Sequence, residues 1–184
     1  MKAETMSLAR ILSLLLCGLL LISCGSGSPG ERVINDFETD DELDRLDWTC
    51  HTLYTLVPDH ATHGSRSIKL DLFPSDWPGI APRISQRNWS AFGELVFDVY
   101  NPSRSNIPLS VRIDDRPDYP EYPDRYTGRF VLKPGQNRIA IPLDPLATPS
   151  GMRKLNLKNI CRLVIYSARP TEKVVLYLDH LRLK

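Results

Sequence analysis

The sequence predicts an all-β protein, an antiparallel β-sandwich of about ten strands behind a short N-terminal targeting helix. Three observations carry this. Apolar and polar residues alternate over most of the chain beyond residue 30, the period of strands with one face on a core and the other in water. Turn-forming clusters separate nearly all of these segments. The 15 prolines among 184 residues are spread along the whole length, which excludes long helices, because an interior proline removes a hydrogen bond and clashes with the preceding turn. Short strands without crossover helices exclude a parallel α/β sheet. A domain of about 150 residues buries close to 70% of its unfolded surface, so one core between two sheets suffices.

In chain order, Val33–Glu38 is the first strand candidate. Thr39–Asp47 has a faint helical look, weakened by its four aspartates, and Trp48–Val57 follows as a less regular strand. Ser67–Phe73 sets Ile68, Leu70 and Leu72 on one face and Lys69 and Asp71 on the other. After Ile80–Ser85, Glu94–Tyr100 opposes Leu95, Phe97 and Val99 to Asp98. Ile107–Asp114 opposes Leu109, Val111 and Ile113 to Ser110, Arg112 and Asp114. Tyr126–Leu132, Asn137–Leu143 (with Ile139 and Ile141 inward), Ile160–Ser167 and Val174–Leu183 complete the set. The clearest turns are His63-Gly64-Ser65, Asn101-Pro102-Ser103, Lys133-Pro134-Gly135 and Ala168-Arg169-Pro170.

Ahead of the strands, Lys2 and Arg10 precede an apolar run, Ile11 to Ile22, shorter than the ~20 residues of a membrane-spanning helix. A charged start, a short apolar stretch and small residues after it read as a secretory signal. Leu21-Ile22-Ser23-Cys24, followed by Gly25 to Gly30, resembles the bacterial lipobox, in which the cysteine receives a diacylglycerol and becomes the mature N-terminus. Ser23 supplies the small residue that cleavage requires, whereas Leu16 before Cys17 does not. The expected boundaries are a signal at residues 1–23, a lipidated Cys24 with a flexible tether through residue 30, and a domain at 31–184. Gly25 rather than aspartate after the cysteine implies, by resemblance to Gram-negative lipoproteins, a lipid anchor in the outer membrane, facing the periplasm or the cell surface. An ordinary secretory signal with an incidental Cys24 is the alternative.

Lys2, Arg10 and Glu4 account for two of the 23 basic and one of the 22 acidic side chains, so the rest of the chain balances. No basic field exists for phosphate neutralisation, which argues against a nucleic-acid partner. Cys50 and Cys161 remain in the domain. An oxidising periplasm permits them to pair, but both sit inside apolar alternating runs, which favours burial as free, small hydrophobes.

Val33-Ile-Asn-Asp-Phe-Glu38, Thr62-His-Gly-Ser-Arg-Ser-Ile-Lys69, Asn88-Trp-Ser90 leading into Leu95–Asn101, and Leu176-Tyr-Leu-Asp-His-Leu-Arg-Leu183 occur in this order. The ordered set resembles jelly-roll domains of the galactose-binding-like type, especially the carbohydrate-binding modules of bacterial glycoside hydrolases, and spans nearly all of residues 31–184. Fold likeness of this kind does not by itself imply sugar binding. The resemblance implies a structural calcium between the first and last strands, held by Glu38 and Asp179 with backbone carbonyls from about His63 to Arg66. Calcium takes six to eight oxygens. Strict alternation places Asp179 on the face of Tyr177, Leu181 and Leu183, where a carboxylate is costly unless paired or metal-bound. An Asp paired with arginine or capping a turn is the alternative, and His180 departs from the Asn or Asp common among relatives.

The most unusual segment is Asp114 to Tyr126. Pro117, Pro120 and Pro123 fall every third residue, the repeat of polyproline II. That repeat places Tyr119 and Tyr122 on one edge and Asp118, Glu121 and Asp124 on another. Aromatic faces beside carboxylates suit a sugar, whose C–H groups pack on rings while its hydroxyls donate. The candidate ligand-binding residues are Trp77, Asp118, Tyr119, Glu121, Tyr122 and Tyr126; the alternative is a loop merely stiffened by proline. Trp48 and Trp89 read as core or edge packing. No Cys or third His lies near His60 and His63 in sequence, which argues against a zinc site, and no phosphate loop or nucleophile elbow is present.

The expected function is therefore non-catalytic: a lipid-anchored envelope protein binding poly- or oligosaccharide through ring stacking and acidic hydrogen bonds, with calcium as a clip. An assembly module with an envelope-protein partner is one alternative. A small glycoside-acting hydrolase, which needs two placed carboxylates, is another.

Overall fold

A computed structural model describes residues 30–184; the signal, Cys24 and most of the tether lie outside the described residues. The strands are β1 (Arg32–Asn35), β2 (Leu46–Cys50), β3 (Thr52–Val57), β4 (Ser67–Leu72), β5 (Gly79–Pro82), β6 (Glu94–Asn101), β7 (Ile107–Asp114), β8 (Tyr126–Leu132), β9 (Gly135–Pro142), β10 (Arg162–Tyr166) and β11 (Val174–Leu183). One sheet runs β3-β4-β11-β6-β9, with β1 also paired to β11; the other runs β2-β5-β10-β7-β8. All pairings are antiparallel. The protein is a two-sheet jelly-roll sandwich.

The alternation identified in the sequence builds the core. Ile68, Leu70, Leu72, Leu95, Phe97, Val99, Leu176 and Leu178 of one sheet meet Leu109, Val111, Ile113, Leu163 and Ile165 of the other, all at most 2% exposed. Each such side chain contributes about 1.5–3 kcal/mol on burial. Trp89 is fully buried among them and its indole N–H donates to the Gln86 carbonyl at 2.7 Å.

Three local departures from strict periodicity decide where the polar residues go. Trp48–Val57 is two strands, not one, so the sandwich has eleven. His51 between them takes a left-handed backbone (φ 42°), and the chain crosses from one sheet to the other at that corner. Thr39–Asp47 forms a short 3₁₀ turn at Asp40–Arg45, secured by buried Glu42, which accepts from the Asn35 amide and from the Asp36 and Glu38 N–H groups. The third departure is in β11, where Asp179 pairs with Asp98 but Arg182 pairs with Val96. One extra residue is inserted there, and His180 adopts φ 49°. Such a bulge shifts the phase of the strand. Leu181 and Leu183 therefore continue the core while Asp179 stays with Tyr177 on the outer face, so Asp179 does not share a face with Leu181 and Leu183 as strict alternation expects.

Asp179 is nevertheless only 1% exposed, because the loop after β3 lies across the outer face. His60 stacks on Tyr100 (ring centroids 3.5 Å) and meets Tyr177 edge-on. Beneath this cover, buried Arg182 reaches Asp98 at 3.3 Å, Glu31 at 3.7 Å and the His180 carbonyl at 2.6 Å. Cys50 and Cys161 are free. Cys50 pairs in register with Gly79, which faces Tyr166 at one end of β10, while Cys161 precedes the other end. Five residues of strand separate those ends by roughly 16 Å, well beyond disulfide reach.

Candidate functional site: an aromatic and arginine trough on one sheet

The outer face of the β2-β5-β10-β7-β8 sheet carries the site. Its floor follows from register: Trp48 stands opposite Ala81, Val164 opposite Arg112, Arg112 opposite Thr127, and Tyr166 opposite both Gly79 and Ser110. Arg162 stands opposite Asp114. Gly79 is required by close approach. A Cβ there would fall 2.6 Å from Tyr166 Cα and nearer still to the Ile165 carbonyl, so β5 lies tight against β10 beneath the Tyr166 ring.

Loops raise walls around this floor. A cavity of about 470 Å³ is bounded by Trp48, Trp77 and Tyr119 over Arg112, Arg125, Arg162, Cys161 and Tyr166, with Asp47 at its rim. A neighbouring groove of about 580 Å³ shares Trp77, Arg125 and Tyr166 and adds Tyr122, Thr127 and Arg129. Among the described residues, the four exposed large aromatic side chains, Trp48, Trp77, Tyr119 and Tyr122, all line this trough. Trp77 meets Tyr166 edge-on at 5.8 Å and has Arg169 5.7 Å from its ring centroid. The Arg162 guanidinium lies 3.8 Å from the Tyr119 ring centroid, and Arg125 lies 6.0 Å from that of Tyr122. Such cation–ring contacts are worth about 0.5–2 kcal/mol and hold the rings in place.

The electrostatics of the floor are lopsided. Asp114 is fully buried and accepts from Arg112 (Nε–Oδ1 2.8 Å, Nη2–Oδ2 2.7 Å) and from Arg162 (Nη1–Oδ2 2.5 Å). One carboxylate thus serves two guanidinium groups. Among the described residues, Arg125 donates only to the Pro120 carbonyl, at 3.1 Å, and its buried Nε has no partner. Burial, and then the neighbouring positive charge of Arg112, push its pKa down. Desolvation also raises the Cys161 thiol, making it a poor nucleophile at neutral pH.

The loop carrying the tyrosines is clamped from behind. Arg153 donates to both Asp115 oxygens (2.6 and 3.0 Å), to Asp124 Oδ1 (2.7 Å) and to the Asp124 carbonyl (2.9 Å). Arg116 bridges to Asp124 as well. Burial alone would raise the Asp115 pKa, but the Arg153 hydrogen bonds, the Asn156 N–H and the Arg153 charge outweigh it and hold the carboxyl below its ordinary value. The clamp prevents a continuous polyproline II rod: Tyr119 takes φ 54° and Tyr122–Asp124 coils into a 3₁₀ turn. Tyr119 and Tyr122 therefore serve the cavity and the groove respectively rather than one straight edge.

Of the residues singled out in the sequence, Trp77, Tyr119 and Tyr122 come together on this face. Asp118 and Glu121 are exposed on the same loop but line neither hollow. Tyr126 faces inward. It pairs with the core residue Ile113 and packs against the core over Gly128, and burial raises its pKa. Trp48 is the opposite case: it lines the cavity instead of packing in the core. The arginines are the larger omission. Arg112 was legible as an outward residue of an alternating strand, but nothing local links it to Arg125 and Arg162.

Glu38 and Asp179 do converge on one turn, through N–H donors. Asp179 Oδ2 accepts from the Thr62 N–H (2.5 Å), the Thr62 hydroxyl (3.0 Å) and the His63 N–H (2.9 Å), and Oδ1 accepts from the His180 N–H (2.6 Å). Glu38 Oε1 accepts from the Ser65 and Arg66 N–H groups at 2.9 and 2.8 Å, which lowers its pKa, and the Arg66 guanidinium donates to the Glu38 carbonyl. Calcium requires oxygen lone pairs aimed at it. Here amide and hydroxyl donors engage all four carboxylate oxygens and a guanidinium engages the Glu38 carbonyl, so a calcium ion bound at this turn would have to share or displace them. Among the described residues no cluster of three or more His, Cys, Asp or Glu side chains suits a metal.

Comparison with solved structures finds the same two-sheet jelly-roll fold in proteins that include carbohydrate-binding modules. A family 11 carbohydrate-binding module from Clostridium thermocellum, determined in complex with a β-1,3-1,4-mixed-linked tetrasaccharide, superposes with a TM-score of 0.61 at 16% identity, covering 84% of this chain and 95% of that module. An exo-β-agarase superposes with a TM-score of 0.67 at 16% identity over 83% of this chain; the chain spans only 24% of that enzyme's length. A Clostridium thermocellum xylanase comprising a binding module and a catalytic module, complexed with xylohexaose, gives a TM-score of 0.53 over 82% of this chain and 27% of that one. No protein-family model matches the sequence, and no curated protein matches it. At such identities the likeness establishes the fold.

Proposed function

We propose that the domain holds a poly- or oligosaccharide chain in the trough without acting on it chemically. The observation that carries this reading is the gathering of Trp48, Trp77, Tyr119 and Tyr122 around one concave sheet face. Exposed rings pinned by arginines and by each other present flat surfaces to pyranose C–H groups at little entropic cost. A family 11 module of the same fold, solved with a bound tetrasaccharide, supports the same class of ligand. A non-catalytic role is favoured by the acids present. Asp114 is buried under two arginines and Asp47 is paired with Arg83 at 2.7 Å. Neither is part of the facing carboxyl pair that glycoside hydrolysis uses.

The mature chain is tethered by lipid on Cys24 to the outer membrane, a reading supported by Leu21-Ile22-Ser23-Cys24 and the Gly/Ser/Pro tether. Several acyl chains on one residue anchor firmly, at about 0.8 kcal/mol per buried CH₂. Cys24→Ser is expected to abolish lipid labelling and release the protein from membranes. The test of ligand class is affinity electrophoresis of the Cys24→Ser chain through gels carrying different polysaccharides. Retardation by at least one glycan, lost in Trp77→Ala with the melting temperature preserved, is the expected result. A folded protein retarded by none would refute the reading and direct the search to an envelope-protein partner.

A further inference from the structure

We propose that the saccharide this trough selects is acidic, bearing carboxylate or sulfate groups that the Arg125 guanidinium and its neighbours receive. The inference rests on the saccharide-binding reading above and specifies its ligand.

The domain as a whole balances its charges, so a local excess has to be built by the fold. Arg112, Arg125 and Arg162 reach the cavity from β7, from the residue before β8, and from β10. One carboxylate, Asp114, is buried among them and is shared by Arg112 and Arg162. Asp47 at the rim is engaged by Arg83, and Glu121 is exposed on the loop without an ion pair to Arg125. Three guanidinium groups therefore face one neutralising acid, and the groove adds Arg129.

Arg125 is the unfinished member. It forms no ion pair among the described residues, and its Nε is shielded from water with no acceptor. It borders the cavity and the groove alike, between Tyr119 and Tyr122. A buried unpaired donor is costly, and native structures rarely leave one without a partner. A guanidinium fork matches the two coplanar oxygens of a carboxylate or sulfate better than a single sugar hydroxyl. The aromatic walls would then hold the ring faces while the arginine floor reads the charged substituent. The surplus also opposes non-sugar cations and leaves neutral glycans to bind through stacking alone.

The experiment uses the Cys24→Ser chain and matched pairs of polymers: polygalacturonate with its carboxyl-reduced form, and a sulfated galactan with its desulfated form. Polyglutamate serves as a sugar-free polyanion. Binding of one acidic polymer at least tenfold tighter than its neutral counterpart is expected, and which pair shows it tells carboxylate from sulfate. Arg125→Gln should cut the ratio of acidic to neutral binding at least tenfold, with its folding checked by thermal melting; a ratio unchanged in a folded variant overturns the role given to Arg125. Equal binding of the two members of each pair overturns this inference while leaving the saccharide reading intact. Polyglutamate binding as tight as the acidic glycan also overturns it, since charge alone would then suffice. No binding of any polysaccharide by a folded chain defeats the saccharide reading itself, and this inference with it.

Discussion

Replacing Arg153 with methionine tests whether the binding loop is held by one buried ion cluster. The substitution keeps much of the side-chain length and removes five hydrogen bonds, two to Asp115, two to Asp124 and a long one to the Lys154 carbonyl. The Asp115 side chain is 1% exposed and would retain the Asn156 N–H at 2.7 Å as a partner. Breaking a fully buried pair costs about 3–5 kcal/mol. Because the Arg153 side chain is 29% exposed, water takes up part of the loss, and about 2–3 kcal/mol is the expected cost. For a domain of this size that lowers Tm by roughly 4–12 °C. The pH dependence gives an independent check. In the native protein the depressed Asp115 pKa contributes stability that is present above its ordinary value of 3.8 and is lost as pH falls through the folded pKa. In the variant, burial without the guanidinium raises that pKa, so protonation stabilises the fold as pH falls. The gap in Tm between the two proteins should therefore narrow toward and below about pH 4. Thermal melts from pH 3 to 8 measure it. A gap that is constant across that range, or absent at neutral pH, would refute the assignment of Arg153 as the clamp.

Other expectations follow from the same geometry. Trp48→Ala and Trp77→Ala should each weaken glycan binding about tenfold, equivalent to about 1.4 kcal/mol, by calorimetry on a polymer identified in the gels; Trp89→Ala should instead lower stability by about 3–5 kcal/mol as a core cavity. Gly79→Ala would drive a Cβ into the β10 backbone and is expected to cost about 1–3 kcal/mol, together with loss of binding, read by urea denaturation. Because protein amides and hydroxyls already engage the Glu38 and Asp179 carboxylates, chelator is expected to leave the melting temperature unchanged within about 1 °C, whereas 1 kcal/mol of calcium stabilisation would shift it by about 2–4 °C. A chelator-induced drop restored by calcium would show that the turn opens to a metal.

The sandwich was legible because the period-2 pattern is local and redundant. Ile68, Leu70 and Leu72, or Leu109, Val111 and Ile113, declare their buried face without reference to any other strand. The departures were illegible for the same reason. A single left-handed residue, His51, turns one expected strand into two on opposite sheets, and a one-residue bulge at His180 puts Leu181 and Leu183 on the core face while Asp179 stays outside. Neither is decided by local sequence: histidine tolerates a left-handed backbone better than most residues, yet only a minority of histidines adopt it.

The candidate site divides along the same line. Tyr119, Tyr122 and Trp77 drew attention as aromatics in proline-rich turns, where packing gives them nothing to do. Tyr126 looked equivalent but begins β8, and pairing with Ile113 fixes its ring on the inner face. Trp48 and the three arginines belong to separate strands or strand ends, far apart along the chain. By itself the sequence determined which residues alternate, where turns fall and which segment looks like a lipid-attachment signal, all properties of neighbours along the chain. Only the tertiary structure decided that Trp48, Arg112, Arg125 and Arg162 share one hollow, and that Glu38 and Asp179 are occupied by amides. Those outcomes depend on strand order, register and bulges, which are set by packing between distant segments.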